Sequence, residues 1–181
     1  MDFNQQMLIA LPDMQDERFK QAVIVICEDN INGTLGLVIN HPLNLNTQQI
    51  FSELGLNEPN SNHLTSEGGP VNVNNGFILH NSNDKFKSSL PITDQLTMTT
   101  SNDLLEEIAN NKFHHKWQFV LGCSAWDKGQ LLSEIQQNAW LTCPVNLPLI
   151  FDTPHEQQWE KALSLIGIKD FTHLTSGIGH A

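Results

Sequence analysis

Arg18 is the only arginine in this chain of 181 residues, and nine Lys and Arg stand against twenty Asp and Glu, a formal net charge of −11. Affinity for nucleic acid rests largely on clustered basic side chains that release counterions, so direct nucleic-acid binding is not expected. Long apolar runs are missing too. The longest spans Ala22 to Cys27, against the roughly 18 to 20 residues a helix needs to cross a bilayer, so no membrane partner is expected. Cysteine is scarce: Cys27, Cys123 and Cys143 are odd in number, lie far apart and form no Cys-x-x-Cys pair. That pattern argues against a disulfide framework and a zinc knuckle, and all three thiols are expected to be reduced. Met1 to Gln6 holds no basic residue, and the short apolar stretch Met7 to Leu11 is closed by Pro12. A secretory signal needs a basic start and a longer apolar segment, so the expected compartment is the cytosol.

Complete catalytic signatures are absent as well. No glycine-rich loop ends in Gly-Lys-Ser or Gly-Lys-Thr, and no Gly-x-Gly-x-x-Gly joins a strand to a helix. Gly122-Cys123-Ser124-Ala125-Trp126 shares a glycine and a serine with the hydrolase elbow but lacks the second glycine that relieves crowding there. None of the eight histidines forms His-x-x-x-His with a third ligand nearby, and His114-His115 reads as a polar loop. Neither a metal site nor a cofactor is expected, and no catalytic residue can be assigned.

What is present describes a globular chain: 39% hydrophobic and 16% charged residues, with room for one domain over residues 1–181. Ala22 to Glu28 and Thr34 to Asn40 flank a turn ending in Asn32-Gly33 and predict two buried antiparallel strands. Val71 to Val73, a turn at Asn75-Gly76 and Phe77 to His80 predict a second hairpin. Gln95 to Thr99, Trp117 to Cys123 and Leu147 to Phe151 predict further strands. Helices are expected after Asn46, with Gln49 bonding back and Gly55 ending the helix, and after Thr100 or Ser101. Asp127 with Gln130, and Thr153-Pro154-His155-Glu156 as a capping box, predict two more. Hairpins in the first half and helices that do not alternate with strands predict an α+β fold.

Five residues stand out as candidates for a ligand cleft. Gly68 and Gly69, before Pro70, offer backbone N–H groups able to hold an anion, with a strand entry or tight turn as the plainer reading. His80 ends an apolar strand and reads first as a hydrogen-bonded structural histidine, with a general base as the alternative. Asn40, before His41-Pro42, marks a strand end. Trp126, like Trp140 and Trp159, is most simply a core or interface anchor.

The order of these segments resembles the AlgH/YqgE family of bacterial proteins over nearly the whole chain. The residues that carry the resemblance begin with Leu8-Ile9-Ala10-Leu11-Pro12-Asp13-Met14 and Gly33 to Asn40 with Pro42. They continue through Gly68-Gly69-Pro70-Val71, Gly76 to His80, Ser88-Ser89-Leu90, Gly129-Gln130-Leu131, Asn138 to Leu141, Phe151-Asp152-Thr153 and the terminal Gly179-His180-Ala181. Asp29 stands where the family usually has His, and His41 where it usually has a basic residue. The resemblance implies an α+β fold in which a bifurcated sheet closes into a pseudo-barrel. It implies no established enzymatic activity; members are linked to alginate gene regulation and often labelled transcriptional regulators.

Two functions compete. A regulatory or adaptor protein acting through protein contacts accords with the acidic composition and the missing active-site motifs. The alternative is a small-molecule binder or unrecognised enzyme using a cleft lined by Asn40, Gly68, Gly69, His80 and Trp126. Direct DNA binding is a distant third.

Overall fold

The computed structural model describes residues 2–169. Within them lie strands β1 (Gln6–Ala10), β2 (Val23–Asn30), β3 (Gly33–Val38), β4 (Pro42–Asn46), β5 (Leu64–Glu67), β6 (Val71–His80), β7 (Ser89–Thr93), β8 (Leu96–Thr99), β9 (Trp117–Trp126) and β10 (Trp140–Pro144). The helices are α1 (Thr47–Glu53), α2 (Asn102–Ala109), α3 (Gln130–Gln136), α4 (Leu147–Phe151) and α5 (His155–Leu165). No helix among the described residues is long and apolar enough to cross a membrane. The terminal Gly179-His180-Ala181 lies outside the described residues.

The sheet runs β10-β1-β2-β3-β9-β6-β8-β7, with β5 against β9 and β4 against β5. β9 is its hub. One edge pairs with β6, from His80 opposite Trp117 to Val71 opposite Cys123. The other edge is shared: Thr34 to Gly36 of β3 pair antiparallel with Trp126 to Ser124, whereas Ser66 and Glu67 of β5 run parallel against Val120 and Leu121. The sheet therefore forks near Gly122 and curls into a half-barrel, the α+β, bifurcated arrangement expected from the sequence.

Glycine builds the fork. Gly68 donates its N–H to Leu121 O at 2.7 Å and accepts at its carbonyl from Val38 N–H at 3.0 Å and from the Ser124 hydroxyl at 3.0 Å. A Cβ on Gly68 would lie 2.2 Å from Gly122 O, and one on Gly69, where φ is +148°, 2.3 Å from Cys123 O. Only glycine allows the two backbones this approach.

Because β1 and β2 are covered on both faces, they read as continuous apolar runs rather than alternating ones. Met7, Ile9, Val23 and Val25 point into the curl against Leu79, Val120 and the α5 residues Trp159 and Leu163. Leu8, Ile24 and Ile26 point the other way, onto Trp126, Leu131 and Trp140. A third cluster sets α1 and α2 on the outer face through Phe51, Leu104 and Ile108 against Ile78 and Phe119.

The β2–β3 hairpin forms as expected, with Ile24 opposite Val38 and Gly33 at φ +130°. So does the α1 capping box, with Asn46 and Gln49 bonding reciprocally at 2.9 Å. Four local expectations are overturned. The second hairpin is a single strand, β6, whose register shifts between Val71 and Gly76; Gly76 is there because the Phe119 ring lies where a Cβ would go. Leu147 to Phe151 is helix, because the Asn146 side chain accepts from Leu149 N–H at 2.9 Å and Pro148 sits in the first turn. α3 starts after Gly129 in the left-handed region; Asp127 does not cap it, and instead Gln130 Oε1 accepts from Asp127 N–H. The capping box at Thr153 does not form, since its hydroxyl donates to Pro148 O at 3.0 Å.

Candidate functional site

Of the clefts that border β9, one lies at each end of the strand. The larger, about 530 Å³, opens where the strand's C-terminal end meets α3, the loop from Asp13 to Phe19, and Pro70-Val71. Its floor is aromatic: Trp126 and Trp140 meet edge to face with centroids 6.2 Å apart, and Phe19 stacks on Trp126 at 6.5 Å and meets Trp140 at 5.6 Å. One carboxylate from α3 organises this floor. Glu134 Oε1 accepts from Trp126 Nε1–H at 3.2 Å and Trp140 Nε1–H at 3.0 Å, while Oε2 accepts from Gln130 Nε2–H at 2.9 Å. The indoles are thereby fixed by charge-assisted bonds. At the rim, the Arg18 guanidinium donates to Asp16 at 3.0 and 2.7 Å; that hydrogen bond holds the Asp16 carboxyl below its ordinary range. Glu134 and Asp16 are engaged, the lining holds no histidine or cysteine, and Asp13 at the rim is its third carboxylate.

The smaller cleft, about 220 Å³, lies at the start of β9, lined by His63, Trp117, Gln118, Ile150, Phe151, Thr153 and His155. The His63 ring lies 4.4 Å from Trp117. Gln118, almost wholly buried, donates from Nε2 to Ile39 O at 2.9 Å and Ser66 Oγ at 2.8 Å, and lies 3.4 Å from His155 Nε2. Burial lowers the pKa of both imidazoles, and the charge of His155 lowers that of His63 further. Among the described residues, no three or more His, Cys, Asp or Glu are grouped to hold a metal ion.

The five residues singled out in the sequence do not gather in either cleft. His80 and Trp126 stand at opposite ends of β9. Of the five, Trp126 alone lines the larger cleft, beside Pro70. Gly68 and Gly69 are occupied at the fork. Asn40 is buried, accepting from Val23 N–H at 2.8 Å and donating to Gln21 O at 2.7 Å. His80 is fully buried beside Phe86 and Phe113, its Nε2 hydrogen-bonded to Thr99 Oγ1 at 2.8 Å and its Nδ1 without a partner. Burial pulls its pKa down to about 4, a structural role rather than that of a base working near neutrality. All three cysteines are free and buried, and burial raises each thiol, Cys143 to about 11. Sequence reasoning missed Glu134, His63 and His155; only the spacing of Gln130 and Glu134 by four on a predicted helix hinted at the first.

Known proteins align with this architecture end to end. The AlgH-like family model matches residues 7–170. The YqgE protein of Escherichia coli O1:K1 is 39% identical over 188 residues, covering all of both chains. A relative from Buchnera aphidicola is 40% identical over 187 residues, covering all of this chain and 99% of its own. The solution structure of the AlgH protein from Pseudomonas aeruginosa superposes with a TM-score of 0.77 at 36% identity, covering 94% of this chain and 92% of its own. A crystal structure from Corynebacterium diphtheriae, 18% identical with a TM-score of 0.70, covers 91% and 87% and shares the fold alone. The forked sheet, the collinear motifs and these matches place the chain in the AlgH-like family.

Proposed function

We propose that the protein is a regulatory or adaptor protein that works by binding other proteins, with the Trp126–Trp140 cleft as the docking site for a basic, extended partner segment. The observation that carries this reading is the commitment of the cleft's polar groups: Glu134 is saturated by two indoles and Gln130, and Asp16 by Arg18. Such a cleft is preorganised for recognition, which lowers the ordering cost of binding. The rim carries Asp13 and Asp16 against the single Arg18, and the chain's net charge of −11 favours approach of a basic partner. Any influence on transcription is then indirect.

The test is a fluorescence titration of the purified protein with peptides in which lysines flank one aromatic residue, set beside glutamate counterparts. Ala125, exposed in the cleft wall, supplies the control variant. The lysine peptides are expected to bind and to lose at least about tenfold in affinity on Ala125→Arg, which fills the cleft and reverses its charge. Equal binding of both peptide sets, or no effect of Ala125→Arg, rejects this docking site.

A further inference from the structure

Among the described residues, six large apolar side chains are exposed, and three of them are Leu54, Val71 and Val73, at 55%, 36% and 53%. Register explains the two valines. β6 takes five steps from Val71 to Gly76 while β9 takes two from Cys123 to Leu121, so Asn72 to Asn75 have no partner on β9. β8 joins β6 only from Ile78 onward. The stretch Val71 to Asn75 is therefore an arch, exposed throughout, whereas Phe77 to His80 of the same strand are buried. Single exposed apolar residues are ordinary, but a contiguous apolar strip marks an interaction surface.

This arch joins two depressions. Its first residue, Val71, lines the Trp126–Trp140 cleft. Its fourth, Asn74, lines a groove of about 180 Å³ on the outer face of the sheet, between α1 and α2. Ile50 and Leu54 form one wall, Leu105 the other, and Ile78, Phe119 and Leu121 the floor. No charged side chain lines the groove, in contrast to the acidic rim of the cleft, so it suits an apolar group rather than a basic one. Its volume takes one large side chain and falls short of the roughly 300 Å³ of a small-molecule pocket. Val71 and Asn74 are at most about 10 Å apart along β6, a distance that an extended segment spans in about three to four residues.

We infer that the groove between α1 and α2 receives one large apolar side chain of the same partner segment whose basic part lies in the Trp126–Trp140 cleft, the partner crossing the Val71–Asn75 arch between the two. This inference rests on the docking reading above and adds a second anchor to it. The crossing covers Val71 and Val73, and the anchor covers Leu54. The surface then selects a basic stretch with an apolar residue at a fixed spacing, a pattern more specific than charge alone.

The experiment titrates the full-length protein with the lysine peptide of the preceding test, extended in either chain direction by three glycines and a leucine, with uncharged ends. Matched peptides carry serine in place of the leucine. In one direction the leucine peptide is expected to bind at least about tenfold tighter than its serine counterpart, the effect of burying one leucine side chain. The double variant Leu54→Gln/Val73→Gln, at exposed positions, should remove that gain, leave the affinity of the short peptide unchanged and leave circular dichroism unchanged. Ile31→Gln, 79% exposed and outside both depressions, should preserve the gain. Equal affinities of leucine and serine peptides, or a gain that the double variant retains, overturn the groove while the short peptide still reports on the cleft. A dimer in sedimentation that the double variant dissociates assigns the groove to a second copy and also overturns the inference. Failure of every peptide to bind rejects cleft and groove together.

Discussion

Trp126 and Trp140, on β9 and β10, donate their indole N–H groups to the same carboxylate oxygen, Glu134 Oε1, at 3.2 and 3.0 Å. Both side chains are buried, at 5% and 2% exposure, so if the carboxylate is removed each N–H is left to whatever water the cleft admits. An orphaned buried donor costs about 1–3 kcal/mol. Glu134→Ala is therefore expected to destabilise the fold by about 2–4 kcal/mol, while Glu134→Gln, which keeps one oxygen at the same place, costs less. Urea unfolding followed by tryptophan fluorescence separates the two; equal stabilities for both variants would show that the carboxylate is not what holds the indoles.

At the fork of the sheet, Gly68→Ala puts a methyl group 2.2 Å from the Gly122 carbonyl oxygen. That atom is backbone on the central strand and cannot rotate away, so the two strands must separate. Gly55→Ala serves as the comparison, because its φ of +75° is strained but nothing lies within 4 Å. The expected loss is about 1 kcal/mol at Gly55 and at least about 3 kcal/mol at Gly68, read from denaturant midpoints.

His80 makes stability depend on pH in the acid range. Burial, with a smaller contribution from the charge of His115, takes its pKa from the ordinary 6.5 to about 4. The unfolded chain then binds more protons than the folded one between those values, so the folded state loses stability as pH falls through this window and regains it on returning to neutrality. The change is at most about 3 kcal/mol. Thermal melts at pH 7, 5.5 and 4.5 are expected to show the decline, and His80→Phe to flatten it. A slope unchanged by that substitution would assign the acid sensitivity to another group.

The features legible in the sequence are those set by local chemistry: the Asn-Gly turn before β3, the Asn46–Gln49 capping box, and the apolar run of β2. Features set by a distant partner are not. Gly76 looks like a turn because glycine permits one, yet it marks where the Phe119 ring crosses β6. Thr153 has the form of a helix cap, but Pro148 O competes for its hydroxyl. Gly68-Gly69, which reads first as a strand entry or tight turn and only second as an anion nest, is a close backbone crossing at the fork. The clefts follow the same rule. Trp126 stands out in the sequence as an aromatic, but the meaning of Glu134 depends on β10 lying beside β1, a pairing of Ala10 with Trp140 across most of the chain. His63 and His155 line one cleft because α5, packed on β1 and β2, begins beside Gln118 near the start of β9.

Direct DNA binding provides the remaining prediction. A net charge of −11 repels a polyanion wherever the two surfaces approach within a Debye length, about 8 Å at physiological salt. A local basic patch is the one feature able to overcome this, and among the described residues three of the nine basic groups already face a carboxylate. Arg18 is bound to Asp16, Lys20 to Glu17 and Lys116 to Asp152. Readout of guanine edges leans on arginine, and the only arginine is the one engaged with Asp16. Purified protein titrated against duplex DNA at about 150 mM salt is therefore expected to bind no tighter than about 10⁻⁶ M, the tight edge of the non-specific range. A sequence-dependent affinity beyond that limit would mean that a partner-binding protein is the wrong reading, with lysines such as Lys85, Lys87 and Lys112 carrying the contact.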